Sequence, residues 1–158
     1  MRAGSPRRRA TGFTLIAALA LLAIVSLGLA IAGPAWADRA RRDREQELLR
    51  IGALYAVAIA EYRDRSPGGS RNYPDDLTAL LIDPRYPGLV RHLRQLYPDP
   101  LDPRRPWGLV RDAGGHIIGV FSDSADVPLT RVTVQAGPIA LAPAATYAQW
   151  KFIAPPPP

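Results

Sequence analysis

The sequence predicts an α+β chain in which one long N-terminal helix, membrane-spanning over its first half, packs on a small antiparallel sheet. Three observations predict it. Residues 10–37 carry no charge and are almost wholly apolar, residues 38–64 are charged helix formers without a proline, and from residue 66 onward short β-prone runs alternate with Pro and Gly turns. With 158 residues, 17 prolines and no cysteine, the chain suits one modest domain beside the apolar stretch and is too short for a large multidomain enzyme. The missing cysteines exclude disulfides, thiolate-held zinc, iron-sulfur clusters and thiol catalysis, and leave the compartment open.

The net charge of +6 invites a nucleic-acid partner until the charges are located. Arg2, Arg7, Arg8 and Arg9 supply four of the six positive charges, and the remaining residues hold 16 basic against 14 acidic side chains. Lys151 is the one lysine, so the basic character is an arginine habit rather than a phosphate-binding stripe, and no nucleic-acid partner is expected.

The first element is the apolar run FTLIAALALLAIVSLGLAI over 13–31. A bilayer core needs about 20 apolar residues, so the stretch to residue 37 is long enough to span one. A permanent membrane helix, a cleaved secretory signal and an anchor trimmed at its front all fit that length. Arg7 to Arg9 followed by Ala35-Trp36-Ala37 suit a signal, but its apolar region would be longer than usual. Arginines flank both ends of the run, so charge counting leaves the orientation open.

The second element continues the helix over 38–65. Leu48, Ile51, Tyr55, Ala58, Ile59 and Tyr62 recur at helical spacing and define one buried stripe, while 38–47 is nearly all charged and is expected to cross an exposed zone. A helix over 13–64 would be roughly 80 Å long, bent near Pro34, where one backbone hydrogen bond is lost. Ser66-Pro67-Gly68-Gly69-Ser70 stops it. Asp75 or Asp76 then caps a short helix carrying Leu77, Leu80 and Leu81, and residues 89–97 are expected to form another with Leu89, Leu93 and Leu96 inward. Residues 107–111 and 116–121 read as a hairpin around Asp112-Ala113-Gly114-Gly115, with further strands at 131–135 and 147–153. Pro155 to Pro158 reads as an extended or disordered tail.

Gly12-Phe13-Thr14-Leu15-Ile16, preceded by Arg7-Arg8-Arg9 and followed by the apolar run, resembles the cleavage and methylation motif of type IV prepilins and type II secretion pseudopilins. The resemblance implies that a prepilin peptidase cuts after Gly12 on the cytoplasmic side and methylates Phe13, leaving the apolar segment in place. Pro34 matches that family's helix-kinking proline. Ala17 departs from the pattern, since the family usually carries there a Glu that pairs with a neighbour's amino terminus. The runs YPDDLTALLIDP from Tyr73 and DPRRPWGLVRDAGGHIIGVFSDS from Asp102 are similar to the head of major pseudopilins. The implied organisation is a leader over 1–12, a membrane and filament-core helix over 13–37, its continuation over 38–65, a periplasmic α+β head over 66–153 and a proline tail over 154–158. The implied role is a structural subunit, not an enzyme. It would sit as a single-pass protein in the bacterial inner membrane, amino terminus cytoplasmic and head periplasmic, and then enter a filament. Its partners would be the prepilin peptidase, homologous pseudopilin subunits, the inner-membrane assembly platform and membrane lipid. A tethered or exported periplasmic binding module with a conventional signal or anchor is the alternative.

Chemical sites are sparse. His116, Ser122 and Asp123 lie within eight residues and no G-x-S-x-G elbow surrounds a serine, so no hydrolase is expected. His92 and His116 lack zinc spacing. Ser122, Asp123 and Asp126, with Ser124 between, offer oxygen ligands of the calcium kind in a region where major pseudopilins hold calcium; an acidic surface turn is the plainer reading, and no other cofactor is expected.

Overall fold

The structure is a computed structural model that describes residues 11–157, with the side chains of residues 11–12 and 30–35 outside that description. The expected leader falls almost wholly outside the described residues, while Gly12 and Pro34 lie within helix Thr11–Asp64, which runs on through Pro34, with their side chains outside the description. The chain divides into two compact units, Met1–Arg41 and Arg42–Pro158. Helix α1, Thr11–Asp64, supplies all of the described part of the first unit and opens the second.

In the first unit the apolar side chains from Phe13 to Leu29 are all exposed. Among the described residues no helix is long and apolar enough to cross a membrane. The described apolar run is 17 residues, which rise about 26 Å against a hydrocarbon core of about 30 Å. The expected span over 13–37 therefore rests in part on residues whose side chains are not described.

The second unit is α+β with small antiparallel sheets. Its portion of α1 buries Leu48, Ile51, Tyr55, Ala58, Ile59 and Tyr62, the stripe that the spacing predicts. Against it lies a three-stranded antiparallel sheet of β1 (Gly108–Arg111), β2 (Ile117–Phe121) and β5 (Phe152–Ile153), in the order β1-β2-β5. Trp107, Ile117, Val120 and Phe152 close the core from the sheet side, and each such buried side chain contributes roughly 1.5–3 kcal/mol. Trp107 meets Tyr55 at 5.5 Å and Phe152 at 6.4 Å between ring centroids, both in tilted or edge-on arrangements that aromatic pairs favour.

The hairpin at 112–115 forms as its residues predict: the Asp112 carboxylate accepts from the backbone N–H groups of Gly114 and His116, both at 2.9 Å. Asp76 caps the expected short helix, accepting from Thr78 N at 2.7 Å; it is a 3-10 helix, Leu77–Leu80, with Leu81 as its C-cap. The predicted helix over 89–97 does not form. Its backbone serves the preceding turn instead, with His92 N and Leu93 N both donating to Leu80 O at 2.9 Å. Leu93 is buried, while Leu89 and Leu96 point outward. Tyr97 is then held by tertiary bonds: Tyr97 N, which a helix would point at Leu93 O, donates to the Tyr55 hydroxyl, and Tyr97 O accepts from Tyr55 and from Trp107 Nε1.

The later strands shift from their predicted places. A two-stranded sheet pairs β3 (Val134–Ala136) with β4 (Ile139–Leu141), where the residues predict only a strand at 131–135. Gly137, with φ 58°, opens their two-residue turn, a backbone conformation that glycine adopts freely and Ala136-Gly137-Pro138 does not advertise as a hairpin. The expected strand over 147–153 is a 3-10 turn at Tyr147–Gln149 followed by β5. Ala154 is buried and donates to Ile118 O, and Pro155 O accepts from Arg63 at 2.6 Å, so the docked chain extends past residue 153.

At Gly52 the helix backbone lies close against the sheet, and a Cβ there would lie 2.4 Å from Cγ of Phe152. Gly52→Ala should therefore lower unfolding stability by about 1–3 kcal/mol through overpacking, read from denaturant titration of Trp107 and Trp150 fluorescence. Gly88→Ala, which meets nothing within 4 Å, should leave it unchanged.

Candidate assembly surface and the anchors of the head

A helix in water is stable when its apolar face is buried and its polar face is wet. The first unit breaks that rule. Phe13, Leu15, Ile16, Leu19, Leu21, Leu22, Ile24, Val25, Leu27 and Leu29 are each at least half exposed, and at 100° per residue they cover every side of α1. No charged side chain interrupts them. An exposed apolar surface of this extent marks a site for contact with lipid or with another apolar surface. Phe13 itself is 76% exposed. Ala17 stands one turn after Phe13 on the same side, with Leu21 one turn further, so this face of the helix carries no charge.

The second unit keeps its surface by burying charge in bonded clusters that charge patterning alone does not reveal. Glu45, expected in the exposed zone, is 5% exposed. Its carboxylate accepts from Leu129 N at 2.6 Å, Thr130 N at 3.1 Å, the Tyr147 hydroxyl at 2.7 Å and the Thr130 hydroxyl. Burial pushes its pKa up, but the hydroxyl and backbone donors outweigh burial and hold it below the ordinary glutamate value. Glu45 thus ties the 127–130 loop and the 3-10 turn at Tyr147–Gln149 to α1. Its spacing three residues before Leu48 is the signal that places it on the buried stripe.

A second cluster forms past the end of α1. Asp83, 1% exposed, receives Arg85 through Nε at 2.8 Å and Nη2 at 2.6 Å, and His92 Nε2 lies 3.1 Å from its Oδ2. Arg85 stacks 3.5 Å over the Tyr62 ring and donates to Tyr62 O at 2.7 Å and Ser66 Oγ at 2.6 Å. The Arg85 bonds, helped by His92 and opposed by burial, lower the Asp83 pKa from 3.8 to about 2. Arg63, 2% exposed, is held by Asp64 at 2.7 Å and the Tyr73 hydroxyl at 3.1 Å as well as by Pro155.

The chemical candidates separate. His116 sits at one end of β2, 3.4 Å from Asp112 and 3.6 Å from Asp75. Ser122 follows the other end of β2, buried, donating to Asp99 at 2.5 Å, so no Ser–His pair exists there. Asp123 and Asp126 border an open cleft of about 280 Å³ with Asp99, Asp102 and Arg105. Arg105 lies 3.0 Å from Asp123 and 3.4 Å from Asp102, so a guanidinium already supplies the positive charge. Among the described residues no group of three or more His, Asp or Glu is placed to hold a metal ion.

No family model, curated protein or solved structure matches this chain.

Replacing Glu45 with Gln removes an acceptor that faces several buried donors and should cost about 1–3 kcal/mol of stability, with hydrogen exchange of the Leu129 and Thr130 amides accelerating first. Asp83 makes a separate pH prediction. Because its folded pKa lies below the ordinary value of 3.8, its stabilisation is complete above that value and is lost as pH falls through about 2. Unfolding between pH 4 and pH 2 should be less pH-dependent in Asp83→Asn than in the native chain; an unchanged slope removes Asp83 from that role.

Proposed function

We propose that this chain is a structural, filament-forming subunit of the pseudopilin kind, held in the bacterial inner membrane by its first unit before it assembles. The observation that carries the reading is the exposed, uncharged, all-round apolar helix joined to a unit whose own core is closed. That helix needs an apolar environment in both states. Lipid supplies it before assembly and copies of the same helix, or homologous subunits, supply it in the filament, so extraction need not forfeit the burial of roughly 0.8 kcal/mol per methylene. The uncharged sequence over 10–37, longer than its described part, supports a single crossing; the orientation, amino terminus cytoplasmic and second unit periplasmic, follows from the prepilin-like motif at Gly12-Phe13 alone.

In this reading the prepilin peptidase removes 1–12 after Gly12 and methylates Phe13, with Thr14, Leu15 and Ile16 completing the recognised motif. The inner-membrane assembly platform then moves the subunit from lipid to filament. Packing does the work, and no residue acts as a catalyst. Ala17 cannot pair with a neighbour's amino terminus, so register along the helix comes from shape and from the second unit rather than from an ion pair. Pro34 would bend the anchor where one hydrogen bond is missing. The α+β unit with its helix laid on an antiparallel sheet supports the same reading, since it places one helical face inward and the rest of its surface toward neighbours.

The test is the mature amino terminus, read by intact mass and N-terminal sequencing of protein recovered from host membranes. A start at Phe13 is expected. A start at Asp38 would identify an ordinary exported protein and overturn the proposal, and an unprocessed terminus would leave a plain anchored domain. Leu22→Arg or Ile24→Arg should abolish both anchoring and assembly, by a cost of about 3 kcal/mol or more for a charge in hydrocarbon; normal filaments from either variant would contradict the role of the helix.

A further inference from the structure

The first unit ends in a pattern that the anchor reading alone does not use. Trp36 is 77% exposed, Arg39 and Arg41 are exposed one turn later, and neither arginine has an ion pair among the described residues. The other two tryptophans, Trp107 and Trp150, are buried. We propose that Trp36, Arg39 and Arg41 form a belt that seats in the headgroup layer of an anionic bilayer, indole at the hydrocarbon boundary and guanidinium groups on lipid phosphate.

Length places the belt. From Phe13 to Trp36 a helix rises about 35 Å, against a hydrocarbon core of about 30 Å and about 40–45 Å with headgroups. With Phe13 at one boundary, Trp36 falls a few ångströms beyond the other. Indole favours that level because its ring is apolar and its N–H needs a wet acceptor. The flexible stems of Arg39 and Arg41 let their charges reach phosphate while their methylenes stay in the less polar layer.

Direction selects lipid over a docked protein. At 100° per residue, Arg39 lies about 300° and Arg41 about 140° around α1 from Trp36, so the three side chains spread around the circumference. A protein partner would cover one side of the helix, whereas a headgroup layer surrounds it. Charge points the same way. The first unit holds six arginines, Arg2, Arg7, Arg8, Arg9, Arg39 and Arg41, against one acid, the exposed Asp38. With the leader removed, the end beyond Trp36 still holds Arg39 and Arg41 against Asp38, a net positive charge that suits anionic headgroups.

The inference rests on the anchor reading, and one experiment separates them. Full-length protein is reconstituted into phosphatidylcholine vesicles with and without phosphatidylglycerol, and vesicle flotation is measured first. Trp36 emission is then taken as the difference between native protein and Trp36→Phe, and quenched with lipids brominated near the headgroup or near the chain ends. Stronger quenching by the headgroup-proximal bromines is the expected result. Brominated phosphatidylglycerol should be preferred over brominated phosphatidylcholine, and the preference should fall roughly fivefold for each of Arg39→Gln and Arg41→Gln. Protein that floats while Trp36 is unquenched, or is quenched most near the bilayer centre, keeps the anchor and overturns the belt. A preference untouched by the arginine variants overturns their part in it. Protein that does not float overturns the anchor reading and the belt together.

Discussion

The second unit depends on one contact line, the buried stripe of α1 against the β1-β2-β5 sheet. Gly52 lets the Phe152 ring lie on the helix backbone, and that approach brings Trp107 against Tyr55 and seats β5 beside β2. The sheet is too small to be stable alone, with a two-residue strand at one edge, so it exists because the helix covers its inner face. The helix in turn keeps Tyr55 buried only because loop backbone reaches its polar end. Packing and hydrogen bonding are therefore one arrangement, since the aromatic side chains that fill the core also anchor the irregular chain over it.

Buried charge plays the corresponding part at the two ends of this helical stretch. Glu45 gathers backbone and hydroxyl donors from the 127–130 segment and Tyr147, and Arg85 with Asp83 gathers the turn after α1. In both clusters the carboxylate is engaged by donors from the surrounding chain. Charges so committed fix segments that carry little secondary structure of their own, which is the role expected of bonded ions in a small core.

The two units thus solve opposite problems. The second buries a core of its own and ties its buried carboxylates into hydrogen-bonded clusters. The first satisfies its backbone within one helix and leaves its side chains to be covered by something else. In the role proposed above, the same apolar surface would serve first in lipid and then among neighbouring helices.

Much of this division is legible in the residues. The uncharged run, the stripe from Leu48 to Tyr62 and the Asp112-Ala113-Gly114-Gly115 hairpin follow from local periodicity and turn chemistry, which need no knowledge of distant contacts. The candidate surface over 13–29 is equally local, since an apolar helix without a polar face is a property of its own sequence. Tertiary structure alone decided the rest. Residues 89–97 have helical spacing, yet their backbone groups are taken by Leu80, Tyr55 and Trp107, partners that lie outside the segment. Glu45 sits in a run of alternating charges, and only the fold brings Leu129, Thr130 and Tyr147 to it from more than 80 residues away. Local pattern specifies which face of an element is apolar; which polar groups become buried depends on who arrives to bond them, and that is settled only when the chain has closed.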